Sequence, residues 1–441
     1  PRTGEIIKGH VSLGSLRVRQ DQMIAEALTT PFQGEGEGVK AAREMALARL
    51  RQLSAHEVGH TLGIDHNFAA SYTGDASVMD YPHPNIYLDA ENNIRLDQAY
   101  ATGVSPWDKL AVRYGYTEFA EGTEAQSLRA ILDEAAEQKI AFITDQDARA
   151  PGSAHPAANL WDNGTDAIAR LDELLAIRQL ALQQFSSAVI PDGTALFELE
   201  SRLVPVFLLH RYQVDAVAKL LGGLNYDYRF RGDTPSQVTP VDAGTQLAAM
   251  DSLLDLLDPG MLALPQNLRY LVPPPPTEYR RDRENFPTAT GAAFDHLAPA
   301  RAGADLVLSE LLQPQRLSRL AEQHALQPDQ PDPAGMLKQL VASSWLAKPA
   351  ADEYLNAIQT EVNWLVLQHL VALANSTNTI DSTRALGIAQ LVELEASLRS
   401  KARKGDPQAI AAVQEIRRFL DRESSAPART IDPAPPGSPI G

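Results

Sequence analysis

The run His56-Glu57-Val58-Gly59-His60-Thr61-Leu62-Gly63-Ile64-Asp65-His66 decides how this 441-residue chain is read. A helix turns once in 3.6 residues, so His56 and His60 stand one turn apart on one face. Two imidazoles so placed reach a single ion. Gly63 tolerates the backbone turn that ends such a helix, and the chain then bends back to offer His66 as a third nitrogen. Three protein ligands leave the fourth tetrahedral position of a zinc ion open, the pattern of a catalytic site. Glu57 neighbours the first ligand and is not needed as one. A carboxylate there is placed to take a proton from metal-activated water as a general base and to return it as an acid. The chemistry these residue types support is hydrolysis of an amide.

The composition excludes several classes. A formal net charge of -17, from 39 basic and 56 acidic residues, argues against nucleic-acid binding, because phosphates are repelled. No apolar stretch approaches the roughly 20 residues that cross a bilayer; the run Leu203–Leu209 is short and interrupted by Pro205. With no cysteine, disulfides and thiolate ligands are both absent.

The extended motif resembles the metzincin clan of zinc metalloproteases, and a second element supports the likeness. Ser77-Val78-Met79-Asp80-Tyr81 follows, with Met79 thirteen residues after His66, and resembles the clan's Met-turn. That resemblance implies that Met79 forms an apolar floor beneath the ligands. It also implies that Tyr81 approaches the metal and steadies the oxyanion. The strings H-E-V-G-H-T-L-G-I-D-H-N-F-A-A-S, S-V-M-D-Y, F-I-T-D-Q-D (142–147) and H-R-Y-Q-V (210–214) are similar to the bacterial Met-zincin proteins, over about Pro1 to Asp295. The likeness implies an exported, periplasmic or extracellular protein that cuts peptides or proteins. Only 55 residues precede His56, where the clan places several strands and a long helix, so the upper sheet is expected to be incomplete.

Along the chain, residues 5–19 alternate as a strand does, and 5–13 are the candidate for pairing with a peptide substrate. His10 there has no spacing partner and reads as structural. Residues 33–38 read as an exposed loop, with the zinc helix beginning near Val39. Leu47, Leu50, Val58 and Leu62 lie on the helix side away from His56 and His60 and are expected to pack into the core. Asp65 and Asn67 read as shaping the turn around His66. His83, between two prolines, is not assigned as a ligand. A helix is expected from Ser105, with Pro106 in its first turn.

The fold class expected is α+β, predominantly α: a truncated metzincin-like catalytic domain over 1–116, followed by an α-helical region over 117–423. That region is read as dividing near 290–330, with helices near 197–221, 243–257, 303–325, 350–374, 381–402 and 406–421. Residues 424–441, rich in Ser, Pro, Ala and Gly, read as a disordered tail. The carboxylates at 143–147 and 161–164 are a weaker candidate for calcium, lacking a full calcium-loop pattern. The function expected is a zinc endopeptidase: His56, His60 and His66 hold Zn2+, Glu57 and Tyr81 are catalytic, and Gly63 and Met79 are structural at the site. The alternative is a non-catalytic binding or scaffold protein with a vestigial or stabilising zinc site. The sequence leaves oligomeric state and peptide specificity open.

Overall fold

Helix α1 (Ser15–Thr29) and helix α2 (Glu37–Thr61) pack side by side and set the frame of the first half of the chain. The computed structural model describes residues 5–30, 32, 37–74, 77–231 and 237–421. Helix accounts for 57% of it and strand for 2%, so the class is α+β with helix dominant. Met23, Ile24, Ala27 and Leu28 of α1 and Ala42, Met45, Ala46 and Leu53 of α2 are buried. This reverses one expectation. Leu47, Val58 and Leu62 stand 45%, 51% and 37% exposed, so the face expected to pack inward is the open one. The buried face is the one that carries His56, because α1 and the 77–81 turn lie on that side.

The N-terminal expectation is also corrected. Residues 5–14 have no regular structure and are exposed, and helix begins at Ser15. A strand needs a hydrogen-bonded neighbour to satisfy its backbone, and among the described residues none pairs with this segment. Most of the 33–38 loop and the tail from 424 lie outside the described residues.

Two compact units emerge. The first comprises residues 1–216 and 225–239, so Tyr116 lies within it. After a short antiparallel pair, β1 (Tyr87–Leu88) with β2 (Ile94–Arg95), come α3 (Pro106–Tyr116), α4 (Glu124–Glu137), α5 (Asp145–Ala148), α6 (Ala167–Gln184), α7 (Leu199–Phe207) and the start of α8 (Arg211–Ala218). Thus the helix expected over 197–221 is broken after Phe207. α7 packs on α1, where Arg202 pairs with the buried Glu26 at 3.5 Å. The second unit, 217–224 with 240–436, holds α9 (Ala243–Asp255), α10 (Pro259–Leu262), α11 (Ala298–Leu311), α12 (Pro314–Leu326), α13 (Pro333–Ser343), α14 (Glu353–Asn375), α15 (Asp381–Arg403) and α16 (Pro407–Asp421). The single helix expected over 303–325 is two, because Pro314 has no N–H to continue the ladder. In its core His369 on α14 meets Asp305 on α11 at 2.7 Å.

One carboxylate fastens the 77–81 turn to the frame. Asp108 closes a capping box at the start of α3, accepting from Ser105 N at 2.7 Å while Ser105 caps the helix. The same buried side chain accepts from the Ser77 hydroxyl and from Val78 N at 3.2 Å. Asp108→Ala removes all three bonds and should cost the first unit about 2–4 kcal/mol. A denaturant midpoint that falls with an unchanged slope checks this. A midpoint equal to the parent's would contradict it.

Candidate metal centre

The last turn of α2 is built to end at His60. Gly63, at φ +78°, lets Ile64 N reach back to Gly59 O at 3.2 Å and Gly63 N to His60 O at 3.0 Å. That paired closure uses the left-handed region that glycine enters without strain. Ile64 O is thereby turned toward His60 and accepts its Nδ1–H at 2.9 Å. The glycine that stops the helix therefore also orients the His60 ring.

The other two imidazoles are held in the same way from different segments. His56, buried, donates through Nδ1 to Val78 O at 2.6 Å. His66, half-buried, donates through Nδ1 to the Asp145 carboxylate at 2.7 Å. With all three Nδ1 atoms used as donors, each Nε2 keeps its lone pair. These lone pairs converge: one ligand atom from each residue lies within 4.8 Å of the others, and His60 Nε2 stands 3.2 Å from His66 Nε2. Two acceptor lone pairs facing at that distance repel unless a metal ion or a proton lies between them. A tetrahedral ion with metal–nitrogen bonds of 2.0–2.1 Å sets its ligand nitrogens about 3.3 Å apart. The donor set and spacing fit zinc.

Burial favours the neutral form of two of these rings, His56 and His66. His56 is pushed down to about 4, by burial first, with His60, His66 and Arg49 adding to the shift against the Val78 hydrogen bond. His66 is lowered by burial, with Asp145 opposing. Arg49, on the buried face of α2, bonds Gln52 at 2.5 Å, and Gln52 donates to the same Val78 carbonyl at 3.1 Å.

Met79 is fully buried. A Cβ added at Gly59 would lie 2.2 Å from its sulfur, so the thioether rests on the Gly59 backbone of α2 and only glycine admits it. Asn67 N donates to Met79 O at 3.1 Å, joining the 77–81 turn to the His66 loop. Tyr81 lies with its ring 5.2 Å from that of His56 and 4.7 Å from that of His66. It stacks on Trp161 at 5.8 Å and 9°. Trp161 N donates to Tyr81 O at 2.7 Å, and Trp161 holds a left-handed backbone, φ +59°. Next to Tyr81, the fully buried Asp80 is pushed well above the usual carboxylate range by burial and by Asp162. Glu57 is half-buried on α2 beside His56 and has no hydrogen bond or ion pair among the described residues.

Of the remaining expectations, Asn67 shapes the turn: its amide donates to Ala141 O at 2.9 Å and accepts from Ile143 N at 3.2 Å. Asp65 is exposed. His83 is buried, pushed down to about 3 by burial, and donates to Pro84 O at 2.9 Å. The His10 ring meets the Ser12 hydroxyl at 3.1 Å. The carboxylates read as calcium candidates have other partners. Asp145 serves His66 and Arg149, Asp147 accepts from the Tyr226 and Tyr228 hydroxyls, and Asp162 accepts from Ser71 at 3.2 Å. Among the described residues, His56, His60 and His66 are the group of three or more potential ligands whose donor atoms converge.

Sequence reasoning did not assign Gly59, Asp108, Asp145, Arg149 or Trp161 to the site. Asp145 lies within the F-I-T-D-Q-D string, but seventy-nine residues separate it from His66, and no local period reports such a contact.

A family model described as Met-zincin matches residues 38–351. No curated protein and no solved structure matches the chain.

Two outcomes follow from this geometry. Asp145→Asn should weaken zinc binding about 10–100-fold, the range for removing a partner that orients a ligand; competition against a chromophoric chelator measures it, and parental affinity would refute the role. For His56 and His83, the folded values lie below the ordinary 6.5, so the unfolded chain binds more protons. Their contribution is present above pH 6.5 and is lost as pH falls toward 4 and 3. Thermal unfolding of the metal-free protein should therefore move to lower temperature between pH 6.5 and 4. A flat or rising profile would contradict this.

Proposed function

The chain belongs to the Met-zincin family, a metalloprotease-like group, and on that premise we propose that it is a zinc-dependent endopeptidase. The observation that carries the reading is the convergence of three Nε2 atoms whose opposite ring nitrogens are all occupied as donors. A purely structural site usually closes its fourth position with another side chain, and among the described residues no fourth His, Cys, Asp or Glu joins the three.

His56, His60 and His66 would hold the ion. When bound, zinc lowers the pKa of water to about 7 and polarises a carbonyl oxygen. The rest falls to the chain's own side chains. Glu57, free of competing partners on the same helix, takes a proton on a carboxylate oxygen from the attacking water. It then delivers that proton to the amide nitrogen as the carbon–nitrogen bond breaks. Tyr81, steadied by Trp161 and set against His56 and His66, offers its hydroxyl as a hydrogen-bond donor to the oxygen that gains charge. Met79 and Gly59 fix the height of the turn beneath the ligands.

Glu57→Gln should retain one zinc per chain and lose casein cleavage by at least about a hundredfold, the usual scale of a general base. Metal analysis beside a peptidase assay reads both. Cleavage at the parental rate would remove Glu57 from the mechanism. A parent that holds zinc yet cuts no peptide would favour the alternative, a binding protein with a stabilising metal.

A further inference from the structure

Beside the three histidines stands an exposed cation that the proposed chemistry does not use. Arg149 caps the C-terminus of α5, one turn after Asp145, and its Nε donates to Asp145 Oδ1, while Asp145 Oδ2 takes the His66 proton. The guanidinium carbon is 5.3 Å from the Tyr81 ring centroid and 5.8 Å from that of Phe68. Those two rings are 4.7 Å and 5.2 Å from the ring of His66. The Arg149 side chain is 44% exposed, whereas Arg49, the cation on the buried side of His56, is 1% exposed.

The Asp145 bond engages Nε alone. The Tyr81 hydroxyl is the other group set against the guanidinium, and no second carboxylate pairs with it among the described residues. Its terminal amino groups thus keep donors in the planar fork that matches a carboxylate in two parallel hydrogen bonds. The aromatic faces of Tyr81 and Phe68 restrict where that fork turns. In a chain with a net charge of -17, an exposed, oriented arginine at the metal centre is a local reversal of sign.

We propose that Arg149 is a specificity-determining residue that binds a carboxylate of the peptide substrate. The carboxylate has two possible sources, the peptide's C-terminus or an Asp or Glu side chain. The inference rests on the endopeptidase reading for its ligand class, yet it is tested by binding as well as by turnover.

The probe is the full chain carrying Glu57→Gln, loaded with zinc. It is titrated by fluorescence anisotropy with labelled random heptapeptide pools. One pair of pools differs only in a free or amidated C-terminus. The other pair, amidated throughout, differs only in Glu and Asp against Gln and Asn. One carboxylate pool should bind about tenfold more tightly than its amide counterpart, the scale of a charge-assisted bidentate pair. Which pair shows the difference identifies the source. Adding Arg149→Gln should bring that ratio to about one, and Arg149→Lys should leave an intermediate ratio, since charge remains but the fork is lost. Comparing ratios cancels any change in metal affinity passed through Asp145. Ratios near one for the Glu57→Gln protein itself, or a ratio unmoved by Arg149→Gln, would overturn the proposal. Turnover by the Glu57 parent is scored separately. Pools bound with a carboxylate preference yet never cut would count against the peptidase reading alone. Pools cut or bound without preference would count against Arg149 alone.

Discussion

Three hydrogen bonds on the far side of three imidazoles hold this centre together. Val78 O, Ile64 O and the Asp145 carboxylate each take an Nδ1 proton, and that choice of tautomer turns every Nε2 inward. Without those acceptors the rings would be free to rotate or to present N–H groups to one another. With them, the Nε2 atoms of His60 and His66 stand 3.2 Å apart, a spacing that a metal ion or a shared proton relieves. Most of the nearby architecture supplies these acceptors. The Schellman closure at Gly63 aims Ile64 O, the Asp108 tether holds Val78, and the 141–145 segment, bonded through Asn67 and Phe68, brings up Asp145.

The acceptors come from places with different visibility in the sequence. Ile64 belongs to the motif itself and is local. Val78 belongs to the Met-turn, a short recognisable string. Asp145 comes from a distant segment whose trace in the sequence is its likeness to a family string, and its carboxylate accepts from His66 across seventy-nine residues. Long-range side-chain contacts leave no period in a sequence, whereas helix faces and turn residues do.

The same contrast runs through the fold. Start and stop signals such as Ser105-Pro106 and Gly63 mark ends that the structure shows, because capping acts within one turn, whereas the break at Pro314 falls inside a span whose apolar spacing reads as one helix. Helices α9, α14, α15 and α16 begin and end within a few residues of where apolar spacing puts them. Two readings failed where a partner decides the outcome. Alternation over 5–19 reads as a strand, but among the described residues no neighbour pairs with 5–14, and the chain is helical from Ser15. The inward face of α2 was placed on Leu47, Val58 and Leu62, since periodicity marks an apolar stripe but not what covers it. Gly59 went unnoticed for a related reason: a helical glycine signals close approach only once Met79 is seen against it.

X-ray absorption at the zinc edge of the loaded chain tests the central claim most directly. The account predicts one ion per chain, bound by three imidazole nitrogens at about 2.0–2.1 Å and one oxygen from solvent. A first shell with two or fewer imidazoles, with a protein carboxylate in place of a histidine, or with no stoichiometric zinc at all, would contradict it.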